Sequence, residues 1–112
     1  MLFRWSVDRV DWEGAWGWGD VRITELFSEI IPKLLDFETM KWWEVERGGS
    51  HFVDLTNCCA EAQARALEID LREDILFSLR LTGIKRVWGV REIAILRLLW
   101  WDPEHTVCPS RR

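Results

Sequence analysis

Four arginines, Arg80, Arg86, Arg91 and Arg97, are threaded through three apolar runs in FSLRLTGIKRVWGVREIAILRLLWWDPEH, residues 77–105. Such runs read as buried strands, where arginine is unexpected unless one sheet face meets an anion. The segment ends on His105 in a Trp-Asp-Pro-Glu-His turn, and the other histidine, His51, follows the Gly48-Gly49 break. Planar guanidinium forks match phosphate oxygens, and imidazoles move protons near neutral pH. Metal-free RNA cleavage needs these parts: a base for the 2′-hydroxyl, cations for the charge developing at phosphorus, and an acid for the leaving 5′-oxygen. A phosphate-binding module without catalysis needs only the cations. Taken singly, each histidine also reads as a hydrogen-bonded structural residue.

Other chemistries fit less well. His105-x-x-Cys108 has ligand-like spacing, and Cys58, Cys59 and His51 could complete a shell, but no second well-spaced pair follows. Vicinal cysteines seldom both ligate one tetrahedral ion, so no metal is expected. No Gly-rich phosphate loop, nucleophile elbow or nucleotide fingerprint stands out, so no cofactor is expected either. Glu25, Glu29, Glu44 and Glu46 read as solvated helix faces. The three cysteines are odd in number and two are adjacent, which suits idle thiols in a reducing compartment. No apolar run approaches a membrane span, and the first residues lack the pattern of a signal peptide. The expectation is a cytoplasmic protein.

The elements that must position these groups follow from periodicity and breakers. Residues 1–112 are most simply one domain. Residues 1–20 read as a short strand near Leu2–Val7, then a Gly/Trp-rich extension that folds over the domain as a flap or presents a partner surface. Residues 21–70 read as mainly helical. Thr24 would cap an apolar stripe from Ile23 to Leu35, with Pro32 kinking or ending it. Thr39 would cap a short helix through Arg47, and Thr56 or Asn57 an alanine-rich helix through Ile69, with a short extended segment at Ser50–Leu55 between them. Residues 75–101 read as an antiparallel meander. The fold class is therefore α+β: a three- to four-stranded antiparallel sheet with N-terminal helices on one face.

Alternation assigns the arginines to a face. Phe77, Leu79 and Leu81 share one side of the first strand, leaving Ser78 and Arg80 opposite. In the last strand, Leu96, Leu98 and Trp100 oppose Arg97, Leu99 and Trp101. The middle strand allows two registers. Facing Trp88 and Val90 inward sends Lys85 and Arg91 to the open face; facing Val87 inward sends Arg86 there. Either way a third cation joins Arg80 and Arg97.

Charge is divided along the chain. Residues 1–77 hold 8 Lys/Arg against 16 Asp/Glu, a balance of −8, and residues 78–112 hold 7 against 3, a balance of +4. That split suits an acidic half flanking a basic working face. The plainer alternative is that basic strands pair with acidic helices inside the fold. Nine tryptophans and no tyrosine point mostly to core packing, or else to base stacking or a partner surface in the N-terminal group.

The block Phe77-Ser78-Leu79-Arg80-Leu81-Thr82-Gly83, then Lys85-Arg86-Val87-Trp88, then Trp101-Asp102 with His105, resembles toxins of the RelE/HigB type, in the RelE/ParE superfamily. It is also similar to a group of uncharacterised bacterial proteins ending in Trp-Trp-Asp-Pro-x-His-x-Val. The resemblance covers roughly the last half of the chain. It implies a RelE-like α+β fold and a metal-free endoribonuclease acting on RNA, including ribosome-bound mRNA, with a cognate antitoxin protein as partner. Arg80 and Arg86 would be the paired phosphate-contacting arginines and His105 the C-terminal catalytic position, with His51 assisting. Arg91, Lys85 and Arg97 would add phosphate contacts. The competing expectation is a non-catalytic interaction module of immunity or phage-inhibitor type, using the Trp-rich acidic N-terminal half.

Overall fold

Strand alternation governs the architecture of residues 1–109, which the computed structural model describes. They contain five strands: β1 (Arg4–Ser6), β2 (His51–Asp54), β3 (Ile75–Arg80), β4 (Arg86–Glu92) and β5 (Ile95–Asp102). These hydrogen-bond in the order β1-β5-β4-β3-β2. The meander β3-β4-β5 is antiparallel as the periodicity predicts, and β2 extends it antiparallel to β3. The sheet is nevertheless larger than three or four strands and is mixed, because β1 lies parallel to β5. Three residues are too few to show a period, but Arg4 N–H donates to the Ala94 carbonyl at 3.0 Å and Phe3 N–H to Met40 at 2.9 Å.

One face carries Phe77, Leu79, Val87, Leu96, Leu98 and Trp101. Two helices cover it. The first, α1, begins at Ile23–Glu25, widens into a π-turn at Leu26–Ile30 and continues as Ile31–Phe37. Pro32 does not end it. Proline offers no N–H to the preceding turn, and the helix absorbs that loss by widening, with Ile31 N–H reaching back to the Leu26 carbonyl. Thr24 makes no cap; Arg22 occupies that position without a side-chain bond. The second helix, α2 (Trp42–Arg47), brings Trp42 and Val45 to the same layer.

The reverse face is covered too, contrary to helices on one side only. Leu76, Trp88, Val90, Leu99 and Trp100 pack there against Trp16, Val107 and the helix α3 (Ala60–Glu68). The sides of Ala62 and Ala66 that meet this face are short, so α3 carries a weak apolar stripe in sequence but packs closely. Cys59, rather than Thr56 or Asn57, caps α3, its Sγ accepting from Ala62 N–H at 3.4 Å.

A β-bulge changes the phase of β5. Trp88 pairs with Trp100 but Gly89 pairs with Leu98, leaving Leu99 as the extra residue. Beyond it, Trp101 joins Leu96 and Leu98 while Trp100 turns to the reverse, the opposite of strict alternation. Gly89 permits this approach, since a Cβ there would lie 2.5 Å from the Arg97 carbonyl oxygen. Most tryptophans are core, as packing requires. Trp16, Trp18, Trp42, Trp88 and Trp100 are buried, and each indole N–H has an acceptor. Trp12 and Trp43 remain exposed. Asp11 ties the N-terminal segment down, accepting a bidentate pair from Arg65 at 2.9 and 2.8 Å and the Trp100 indole at 3.0 Å.

Candidate functional site

The sheet register brings Arg80, Arg86 and Asp102 into one cross-strand row, Arg80 opposite Arg86 and Arg86 opposite Asp102. Facing residues of a sheet pair project the same way, so the two guanidinium groups sit side by side on the reverse face. Like charges directly opposite each other destabilise a sheet. Among the described residues neither arginine has a carboxylate within 4.0 Å. Arg86 is only 9% exposed. Its burial, with the charge of Arg80 added, pulls its guanidinium below the ordinary value, and Asp102 opposes that only in part. The β3–β4 turn braces it: Nη1 donates to the carbonyls of Thr82, Gly83 and Lys85 at 3.0, 3.2 and 3.2 Å.

Asp102 is fully buried and organises the turn that follows. Its carboxylate accepts from the Trp88 indole at 3.1 Å, from Thr106 N–H at 2.8 Å and hydroxyl at 3.3 Å, and from Val107 N–H at 3.0 Å. Inside that loop His105 takes a left-handed conformation, φ 58°. Such a backbone costs a non-glycine residue about 1–2 kcal/mol, less for the few types that tolerate it, histidine among them. The Asp102 bonds hold it there. Burial lowers the imidazole below its ordinary value, the charges of Arg86 and His51 lower it further, and Asp102 acts the other way. The net downward direction favours the neutral imidazole, the form that accepts a proton.

His51 arrives from the other edge. It opposes Ser78, two residues from the Arg80 row, and Ser50 Oγ accepts from Arg80 N–H at 2.9 Å. His51 Nδ1 lies 3.3 Å from the Gly49 carbonyl, a contact that is a hydrogen bond only with the proton on Nδ1. Gly49 has φ 104°, and a Cβ there would meet the Arg80 side chain at 3.1 Å. The glycine break therefore serves both the turn and the approach of Arg80.

The remaining predicted cations do not join this group. Arg91 points to the opposite face, stacked 3.9 Å over the Trp42 ring, with Nη1 3.4 Å from Glu46 and Nε donating to the Ile93 carbonyl at 2.9 Å. Lys85 pairs with Glu25 and Glu29 of α1. Arg97 shares the reverse face but is held by Glu92 at 2.7 Å and by Asp8. For these three, pairing of basic strands with acidic neighbours describes the arrangement. Asp102, Ser50 and Gly49 support the site, although the sequence reading gave none of them a site role. The Asp-Pro step followed by Thr106 was the sequence signal for the first of them.

Among the described residues no three His, Cys, Asp or Glu side chains converge closely enough to hold a metal ion. No helix among them is long and apolar enough to cross a membrane. Comparisons with protein families, with curated proteins and with solved structures found no match to this chain.

Proposed function

We propose that the Arg80–Arg86 face binds an RNA phosphate and that the protein is a toxin-like, metal-independent endoribonuclease, working in the cytoplasm beside a cognate antitoxin. The observation that carries this reading is the cross-strand pair of arginines with no carboxylate within 4.0 Å among the described residues, one of them nearly buried. Sheets avoid such pairs unless an anion completes them. The two forks would grip the non-bridging phosphate oxygens. Neutral His105 would take the proton of the 2′-hydroxyl as its oxygen attacks phosphorus. His51 would be the acid for the departing 5′-oxygen, leaving a 2′,3′-cyclic phosphate. The test is incubation of purified protein with mRNA, alone and with ribosomes. Cleavage that vanishes in Arg86→Ala and His105→Asn, both still folded, supports the reading. Asparagine is chosen because it tolerates the left-handed backbone. Intact RNA in every arm, with no growth arrest on expression, overturns it.

A second reading rests on a different region. An apolar cleft of about 350 Å³ opens between the N-terminal segment and α1, lined by Trp5, Trp12, Trp18, Leu26, Ile30 and Leu98. Val7, Trp12 and Ile23 on its rim are more than half exposed. Exposed apolar rims of this kind favour a protein-interaction module docking through the N-terminal half. Loss of partner capture in Trp12→Ala, with RNA untouched by the wild type, would select it.

A further inference from the structure

The three cysteines, idle in sequence, come together where the C-terminal segment crosses the start of α3. Cys59 N–H donates to the Val107 carbonyl at 2.8 Å, which lays the following residue, Cys108, against the turn at Leu55–Asn57. Cys108 Sγ sits 3.2 Å from the carbonyl of Asn57, the residue before Cys58. Cys58 Sγ points into the same corner, 3.9 Å from the Asp54 carbonyl. All three are free thiols. Burial pushes the Cys58 thiol up to about 12, with its neighbours Cys108 and Cys59 adding to the rise. The thiols therefore have unequal roles. Cys59 caps α3 through its sulfur, and adjacent residues are poorly placed to bridge each other. Cys58 is buried beside Cys108, which is half-buried and the easier of the two for an oxidant to reach.

We propose that Cys58 and Cys108 form a reversible disulfide that fastens the C-terminal segment, with the Asp102–Val107 turn just before it, to the Leu55–Asn57 turn. The oxidant is a low-molecular-weight disulfide of the glutathione type. The Cys108 thiolate attacks one of its sulfurs, expelling one thiol and leaving a mixed disulfide on Cys108. Cys58 then loses its proton and attacks Cys108 Sγ, expelling the second thiol. Two protein thiols become one disulfide while one small disulfide becomes two thiols. The buried Cys58 makes the second step the slow one. The bond closes a long loop and restrains the segment that follows His105, so oxidation raises Tm by several degrees. This inference stands apart from the RNA reading, since it needs no ligand at the arginine face.

The test equilibrates the whole chain with graded ratios of oxidised to reduced glutathione, quenches with an alkylating agent and maps peptides by mass. The expected product is a monomer lighter by two hydrogens, linked between Cys58 and Cys108, with Cys59 alkylated. Cys59→Ser should keep the link and the Tm rise. Cys108→Ser and Cys58→Ser should each lose both. Cys108→Ser, at the more accessible site, keeps the test valid should Cys58→Ser fold poorly. A Cys58–Cys59 link, a chain-to-chain link through Cys108 as the main product, or no link at a tenfold excess of oxidised glutathione overturns the proposal.

Discussion

At one end of β4, Arg91 lies over Trp42 and reaches Glu46, and on β5 Arg97 is held between Glu92 and Asp8. At the other end, Arg86 faces Arg80 across β3 with no carboxylate on either among the described residues. Both ends are built from the same kind of residue on the same strands. The difference lies in what surrounds them. The acidic residues of α2, of the β4–β5 hairpin and of the N-terminal segment supply counterions to the first group and not to the second. From the acidic first half, Asp8, Glu25, Glu29 and Glu46 thus pair with basic residues of the last third. What lacks a carboxylate within 4.0 Å among the described residues is one local cationic pair on an anionic protein, so on the proposed reading RNA would be held there by local contacts rather than drawn by long-range steering.

That contrast can be broken in order of effect. Arg86→Ala should lower RNA cleavage by 100-fold or more, roughly the loss when one donor to a developing oxyanion is removed; a loss under threefold would place the chemistry elsewhere. Gly89→Ala should destabilise by about 2–3 kcal/mol in urea, because the new Cβ meets backbone rather than a movable side chain. Gly89 lies at the bulge that turns Trp101 to the side of Leu96 and Leu98 and Trp100 to the reverse, so an unchanged midpoint would deny that this close approach needs glycine. Arg91→Ala should cost about 1–2 kcal/mol of stability through the lost Trp42 stacking and Glu46 pair, with cleavage intact. Arg80→Gln should do the reverse, weakening phosphate binding while leaving stability equal or higher by up to about 1 kcal/mol, since it relieves a like-charge pair.

Acid sharpens the comparison further. The folded His105 sits below its ordinary 6.5, so the unfolded chain binds the proton more readily. Its contribution therefore erodes stability as pH falls below about 6.5 and stops growing below the folded value. His105→Asn should lose less stability than the wild type across that window, and should remove the acidic limb of the cleavage profile. Equal acid sensitivity in both proteins would mean that His105 is not the depressed group.

Much of this was legible in residues 77–105. The alternation of Phe77, Leu79 and Leu81 against Ser78 and Arg80 survives intact, and one of the two registers weighed for β4, with Val87 inward, is the observed one. The bulge was not legible, because Leu98-Leu99-Trp100-Trp101 is apolar on both sides and offers no phase to read. The short strand near Leu2–Val7 is present as β1, but its parallel pairing with β5 was not legible, because it depends on a partner more than 80 residues away rather than on its own three residues. The place of α3 stayed hidden behind alanines, which bury little surface each but allow close packing. The backbone that carries His51 and His105 was not legible either, because it is set at Gly49 and by the bonds of Asp102, through conformations that no periodicity records.

The most direct test compares two double variants in binding a short single-stranded RNA across a salt series. Arg80→Gln with Arg86→Gln should bind at least tenfold more weakly, with the salt slope reduced by about 1.4, the share of two phosphate contacts. Arg91→Gln with Arg97→Gln should melt earlier yet bind like the wild type with an unchanged slope. Equal losses in the two variants, or wild-type binding that ignores salt, would contradict the division of the arginines into a structural set and a phosphate-reading pair.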